Sequence, residues 1–286
     1  MANILYGAPV AQAINERTAG IVRKLAAVNV VPTLAIVRLG ENADDIAYEK
    51  GAVKRCEALG MKVITVTMKD DVSAEEFYER LKTLNDDPAI HGILLFRPLP
   101  WHINEDTARN LISPQKDLDG GCDLSLAALL TGKGDGFAPA TAQAVVEMLE
   151  YYQITVKGAR TAVLGRSLVI GKPVALLLLN RHATVTICHT RTANLQEICR
   201  ESDIIVAATG QMESLNRRYF RAGQTVVDVG ISYNEKKQKL CGDVLYEEVE
   251  PLVDNITPVP KGVGSVTTAV LANHLALAAE RTISHE

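Results

Sequence analysis

No apolar run in this 286-residue chain approaches the ~20 residues that would span a bilayer. Basic blocks are absent and the net charge is −4, so neither nucleic acid nor an anionic membrane is an expected partner. The opening MANILYGAPVAQ lacks a charged segment followed by a long apolar one, so no secretory signal is expected, and the cysteine usage makes a reducing cytoplasm the expected compartment. The cysteines, Cys56, Cys122, Cys188, Cys199 and Cys241, are odd in number and never in C-x-x-C spacing, which argues against a disulfide framework. The histidines are scattered without paired ligand spacing, so no metal site is expected. What is present, 47% apolar and 22% charged residues, suits a globular protein long enough for two domains.

Apolar periodicity divides the first half into alternating elements. Val10 to Ala27 reads as an amphipathic helix, Pro32 to Leu39 as a strand, and Asp44 to Leu59 as a helix stopped by Gly60. Lys62 to Thr67 is a strand, Ser73 caps a helix to Leu84 with Glu76 completing a capping box, and Gly92 to Phe96 is a buried strand. This β-α-β-α-β order predicts a parallel sheet with right-handed crossovers. Asn104 to Leu111 reads as a short helix, 113–123 as a polar glycine-rich loop, and Thr141 as the cap of a helix to about Tyr151. A second series follows: strands at 161–164, 184–188, 203–207 and 225–229, helices at 170–181 and 193–200, and a long helix from Thr267 to Arg281.

Residues 161–192, TAVLGRSLVIGKPVALLLLNRHATVTICHTRT, form a strand–turn–helix–strand unit. Gly165, Arg166 and Ser167 make the turn, and Gly171 and Pro173 open the helix, whose N-terminal N–H groups and dipole favour an anion. The dinucleotide pattern G-x-G-x-x-G is matched imperfectly, with Ser167 second and the third glycine displaced to Gly171. A Walker A loop is excluded because Pro173 follows Lys172. The alternative is a plain strand-to-helix turn. After the second strand stands His189-Thr190-Arg191-Thr192, without the carboxylate that would hold a ribose 2′-hydroxyl. Two arginines and no acid favour a 2′-phosphate, hence NADP over NAD. The bland reading of Arg191 is a solvated surface charge.

These motifs, with others in order along the chain, resemble the methylenetetrahydrofolate dehydrogenase/cyclohydrolase (FolD-type) family over nearly the whole length. GRSLVIGKP at 165–173 and ATVTICHTRT at 183–192 look like its cofactor turn and second strand, and KDLDG at 116–120 is similar to K-D-V-D-G. RPLP at 97–100, DVGI at 228–231, GDV at 242–244 and TPVPKGVGSVT at 257–267 match as well. The resemblance implies an α/β fold of two domains. The first, residues 1–135, would be a folate-binding catalytic domain with an open parallel sheet, joined by the C-terminal helix 267–286 packing back on it. The second, 136–266, would be a Rossmann-type NADP-binding domain. It implies oxidation of 5,10-methylenetetrahydrofolate to the methenyl form with NADP, tetrahydrofolate derivatives as partners, and a homodimer. Tyr48 is implied to stack on the folate and Asp119 to hydrogen-bond the pterin, and both are taken as catalytic. Pro98, Leu99, Pro258, Pro260 and Gly262 are implied substrate contacts. Thr190 and Ile231 join Gly165, Arg166, Ser167, Gly171, Pro173 and Arg191 as implied cofactor contacts.

Two departures bear on chemistry. The family lysine four residues after the tyrosine is Ala52 here, and the Gln-Leu before P-L-P is Phe96-Arg97. Lys50 and Lys54 lie two positions either side of Ala52, about 200° around a helix, and should point away from the face of Tyr48. Hydride transfer needs two rings held face to face and no protein base, whereas hydrolysis of a methenyl bridge needs activated water and a positioned base worth ~10²–10⁴-fold. The expectation is a dehydrogenase with weak or absent cyclohydrolase activity. The rivals are a fully bifunctional enzyme, a shikimate-dehydrogenase-like oxidoreductase, which leaves KDLDG unexplained, and a non-catalytic NADP-binding sensor.

Overall fold

The computed structural model describes residues 1–283. In chain order the elements are β1 (Asn3–Ile4), α1 (Gly7–Ala27), β2 (Thr33–Leu39), α2 (Ala43–Ala58), β3 (Lys62–Met68), α3 (Ala74–Asp86), β4 (Gly92–Leu95), α4 (Glu105–Asn110), α5 (Asp123–Thr131) and α6 (Ala140–Tyr151). Then come β5 (Arg160–Leu164), α7 (Gly171–Leu179), β6 (Thr184–Cys188), α8 (Leu195–Glu201), β7 (Ile204–Ala207), β8 (Thr225–Asp228), β9 (Ser232–Asn234), β10 (Lys239–Cys241), α9 (Tyr246–Val249), β11 (Asn255–Ile256) and α10 (Gly264–Ile283). They fall into two compact units, a first of residues 13–140 with the chain from Thr268 onward, and a second of residues 1–12 and 141–267.

The first unit is built on a parallel sheet of order β3-β2-β4. Its central strand β2 is apolar without alternation because helices cover both of its faces. Leu34 and Ile36 point to one side, with Ala52 and Cys56 of α2 and Leu271 and Leu275 of α10. Ala35 and Val37 point to the other, with Phe77 and Leu81 of α3. Each leucine buried this fully stabilises by about 1.5–3 kcal/mol. The Asn42 side chain caps α2 by accepting from the N–H groups of Asp44 and Asp45, and Gly60 follows the helix at φ +78°. Ser73 caps α3 by accepting from the Glu76 N–H.

The second unit is a six-stranded parallel sheet of order β1-β11-β8-β7-β5-β6, with β5, β7 and β8 buried at its centre. A separate antiparallel pair, β9 and β10, follows β8. The two parallel sheets agree with the α/β expectation, and the packing of α10 on the first unit's sheet agrees with the expected return of the C-terminal helix. Positions 284–286 of that expected helix lie outside the described residues.

Several boundaries differ from the sequence reading. Residues 1–12, expected with the first domain, cluster with the second unit, because β1 pairs with β11 at the edge of the larger sheet. A two-residue strand carries no periodicity to read. Thr141 lies inside α6 rather than capping it, and α10 begins at Gly264 rather than Thr267. α5 begins at the end of the stretch expected as loop, with Cys122 as its cap, and α9 and the β9–β10 pair have no counterpart in the sequence reading. Among the described residues no helix is long and apolar enough to cross a membrane.

Candidate functional site

Two groups of candidate residues emerge, one in each unit. In the first unit, Tyr48, Ala52 and Cys56 follow one another at one-turn intervals along α2. Ala52 is 1% exposed and belongs to the core beneath Tyr48, whereas Lys50 and Lys54 face solvent. Both lysines thus turn away from that core, as the helical rotation requires. Phe96, the residue after β4, meets Tyr48 edge to face with ring centroids 5.9 Å apart. Burial pushes the Tyr48 phenol up, helped by the nearby Asp119 carboxylate and opposed by Arg55.

Asp119 sits on a loop fastened from several sides. Lys116 donates to the carbonyls of Asn85 and Asp87 at 2.6 and 2.7 Å, so it serves the loop rather than the site. Asp117 accepts from the Cys122 N–H at 2.8 Å, and the carbonyl of the fully buried Leu118 is bound by His274 Nδ1 at 2.9 Å. Gly120 adopts φ +61°, and a Cβ there would stand 2.5 Å from the Phe137 carbonyl oxygen, so only glycine fits the bend. Thus placed, the Asp119 side chain keeps 29% exposure and its carboxyl is raised to about 6, chiefly by burial and by Asp117, with Arg97 and the Ala140 N–H pulling it down. Arg97 stands 3.6 Å from Asp119 and 3.7 Å from Glu105, the first residue of α4. Glu105 also accepts from the Leu99 N–H at 3.4 Å, tying down the loop that carries the exposed Pro98 and half-buried Leu99.

In the second unit, the turn after β5 is packed backbone against backbone. Gly165 has φ +143°, and a Cβ on it would lie 2.3 Å from the Ala208 carbonyl oxygen at the end of β7. A Cβ on Gly171 would lie 2.2 Å from the Gly165 carbonyl oxygen. The expected free N–H groups at the start of α7 are not free, which corrects the sequence reading. Ser167 Oγ accepts from Ile170 and Gly171 at 3.1 and 3.4 Å, its carbonyl accepts from Lys172, and Pro173 has no N–H to offer. A serine in the turn of a short glycine-led helix caps it locally, a competition that the motif spacing does not show. What the turn offers outward is side chains. Arg166, Ser167, Thr190 and Arg191 are exposed, and neither guanidinium is paired with a carboxylate among the described residues. The loop after β6 is fixed by the His189 N–H donating to Thr192 Oγ1 and the Arg191 N–H donating to His189 Nδ1. Ile231 is 63% exposed after β8.

Pro258, Pro260 and Gly262 also fall in the second unit, in a loop folded tightly enough that a Cβ on Gly262 would meet the Pro258 carbonyl oxygen at 2.4 Å. The structure thus gathers Tyr48, Pro98, Leu99 and Asp119 in one unit and the remaining expected residues in the other. Among the described residues no cluster of three or more His, Cys, Asp or Glu could hold a metal. Sequence reasoning missed Glu105 and its approach, with Asp119, to Arg97, for which the available signal was a lone cation following a buried strand with carboxylates downstream. It missed two buried acids as well. Asp228 accepts from the N–H groups of Gly230, Asp243 and Val244, and burial still raises its carboxyl to about 7. Asp243 accepts from Thr209 and Gly210 at 2.5 and 3.1 Å, fixing the loop after β7.

Comparison with known proteins finds two family models. One, described as tetrahydrofolate dehydrogenase/cyclohydrolase, catalytic domain, matches residues 5–119, and the other, the NAD(P)-binding domain of the same family, matches 139–283. The bifunctional protein FolD of Carboxydothermus hydrogenoformans is 48% identical over 281 residues, 98% of each chain. Among solved structures, the bifunctional methylenetetrahydrofolate dehydrogenase/cyclohydrolase FolD of Campylobacter jejuni is 34% identical with a TM-score of 0.95, covering 99% of this chain and 100% of that one. The Trypanosoma brucei methylenetetrahydrofolate dehydrogenase-cyclohydrolase, solved with NADP and an inhibitor, is 32% identical with a TM-score of 0.92, covering 99% and 98%.

Proposed function

We propose a function for this chain from one premise: it belongs to the tetrahydrofolate dehydrogenase/cyclohydrolase family. It is an oxidoreductase that converts 5,10-methylenetetrahydrofolate to 5,10-methenyltetrahydrofolate with NADP, and it hydrolyses that product weakly or not at all. The observation that carries the second clause is Ala52, 1% exposed in the core where an ionisable side chain would be needed, under an edge-to-face Tyr48–Phe96 pair.

The cofactor residues fit a 2′-phosphorylated dinucleotide. Arg166 and Arg191 are guanidiniums with no carboxylate partner among the described residues, they stand beside the hydroxyls of Ser167 and Thr190, no carboxylate stands at 189–192, and the glycine turn leaves no room for added Cβ atoms. Bound NADP supplies a hydride acceptor. Within the chain, Tyr48 offers a ring face for stacking, and Asp119 offers acceptor oxygens for the two N–H donors of an aminopyrimidine edge. Phe96 keeps water from the Tyr48 ring. None of these side chains has to move a proton for a hydride to leave, because the folate nitrogen lone pair drives it. Attack by water does require a base, and Arg97, the cation 3.6 Å from Asp119, is a hydrogen-bond donor with no acceptor to offer. Loss of the lysine alone does not erase the second reading, full bifunctionality, which rests on relatives named bifunctional. The homodimer belongs to this reading too, supported by the exposed edge strand β6.

Supplying purified protein with methenyltetrahydrofolate, and separately with methylenetetrahydrofolate plus NADP or NAD, tests both clauses. The expected result is NADPH formation, slower turnover with NAD, and hydrolysis at the rate of buffer alone. Enzymatic hydrolysis far above buffer establishes the bifunctional reading instead.

A further inference from the structure

Arg97 and Arg109 both line a small cavity together with the Asp119 carboxylate. The cavity is about 10 Å³, room for no more than one water, and the Arg109 guanidinium is held by Asp106 at 2.9 Å, Asp123 at 2.6 Å and the Gly121 carbonyl at 2.8 Å. Arg97 lies over Gly121, where a Cβ would stand 3.4 Å from its Nη2, and its contacts to Asp119 and Glu105 at 3.6 and 3.7 Å are too long for hydrogen bonds. It therefore acts on the carboxylate chiefly through its charge, while the Ala140 N–H donates to the same carboxylate.

We propose that Arg97 is a positioning residue of the substrate site: suspended between Glu105 and Asp119, it holds the Asp119 carboxylate in place chiefly by its charge and leaves acceptor lone pairs on the carboxylate for the substrate. This rests on the folate reading above and adds to it a residue for which the family resemblance supplies no role. The groups facing Asp119 are Arg97 from the loop after β4, Asp117 from its own loop, Tyr48 from α2 and Arg109 from α4. Burial and Asp117 push the carboxyl toward protonation, and Arg97 opposes them. A protonated Asp119 would present a donor where the aminopyrimidine edge also presents donors, and binding would weaken. With Arg97 in place the carboxyl, at about 6, stays mostly ionised at neutral pH. Without it, protonation reaches the working range. Below its pKa the ionised fraction of a carboxyl falls ~10-fold for every pH unit, so a one-unit rise roughly halves the acceptor at pH 7 and removes most of it by pH 5.5.

The test compares wild type, Arg97→Leu and Arg97→Lys. Asp119 is titrated directly by carboxyl carbon NMR in aspartate-labelled protein, its signal assigned by its loss in Asp119→Asn. The KM for methylenetetrahydrofolate is followed from pH 5.5 to 8.5. In Arg97→Leu the Asp119 titration midpoint should move up by about one pH unit or more, and KM should rise about 2-fold at pH 7 and roughly 5–10-fold near pH 5.5, converging on wild type by pH 8.5. The loss should fall on KM rather than kcat, and Arg97→Lys should restore most of it. An Asp119 titration unmoved in Arg97→Leu, or a KM raised equally at every pH, overturns the proposal. Wild type that forms no NADPH defeats the folate reading instead, and the carboxyl titration still decides whether Arg97 governs Asp119.

Discussion

Arg166 and Arg191 of the second unit stand exposed with no carboxylate partner among the described residues, whereas Arg97 of the first unit is shared between Asp119 and Glu105. The same contrast runs through their surroundings. The turn around Gly165 is backbone packed on backbone with its polar side chains turned outward. The face around Tyr48 is side chain packed on side chain, with an alanine and a phenylalanine where the family resemblance leads one to expect polar groups. An unpaired exposed cation is free to bind an anion, while a cation shared between internal carboxylates orders the protein's own groups. On the proposed reading, one region would hold a phosphorylated cofactor and the other a flat substrate, with an alanine at position 52 where hydrolysis would call for a base.

The contrast in packing gives the largest expected effect. In Gly171→Ala the new Cβ would meet the Gly165 carbonyl oxygen at 2.2 Å and the Arg166 nitrogen at 2.7 Å, both backbone. Stability should fall by about 3 kcal/mol or more, roughly 6–12 °C in Tm, and NADP binding should be lost. Gly51→Ala, on the exposed side of α2 with nothing within 4 Å, is the control and should be neutral or slightly stabilising. Equal melting shifts for the two would break the distinction between a packed turn and an open helix face.

Restoring polar groups to the Tyr48 face sharpens the chemical half. Ala52→Lys with Phe96→Gln should raise hydrolysis of methenyltetrahydrofolate by about 10²-fold, at some cost in stability because position 52 is in the core. A double variant that folds and gains nothing would show that the missing pair is not what limits hydrolysis.

The parts of this arrangement that are legible in sequence are those with a period or a motif. β2 is continuous and apolar because both faces are covered, and Tyr48, Ala52 and Cys56 share a face because four residues is close to one turn. β1 and β11, two residues each, leave no trace in the sequence pattern because their pairing spans most of the chain. The spacing around Ser167 suggests a vacant anion cradle, but its hydroxyl satisfies the helix start itself, a local competition decided by geometry. The Arg97–Asp119 contact spans 22 positions with no spacing rule to announce it, and the heights of the Asp119 and Asp228 carboxyls depend on burial that only the fold reveals.

A smaller effect is expected from the exposed cations. Arg191→Ala should weaken NADP binding about 10-fold and leave NAD binding nearly unchanged, since one charge-assisted hydrogen bond contributes roughly 1.5–3 kcal/mol. Equal losses for both cofactors would return Arg191 to a solvated surface charge. The smallest effect is on the pH dependence of stability. Asp119 and Asp228 both have folded values raised above the ordinary 3.8, to about 6 and about 7. Their folded forms bind protons more tightly than the unfolded chain, so their contribution is full below about pH 4 and is lost as pH rises through 6 and 7. Tm should therefore fall by a few degrees between pH 6 and pH 8, and Asp228→Asn should flatten the upper part of that decline. A Tm that climbs across this interval would mean that neither carboxyl is raised.

The separation of hydride removal from water attack is tested most directly by following both products in one progress curve. With methylenetetrahydrofolate and NADP, methenyltetrahydrofolate is expected to accumulate in step with NADPH, one for one, and to decay only as fast as it does in buffer. NADPH rising while the methenyl form stays low and formyltetrahydrofolate appears in its place would contradict that separation.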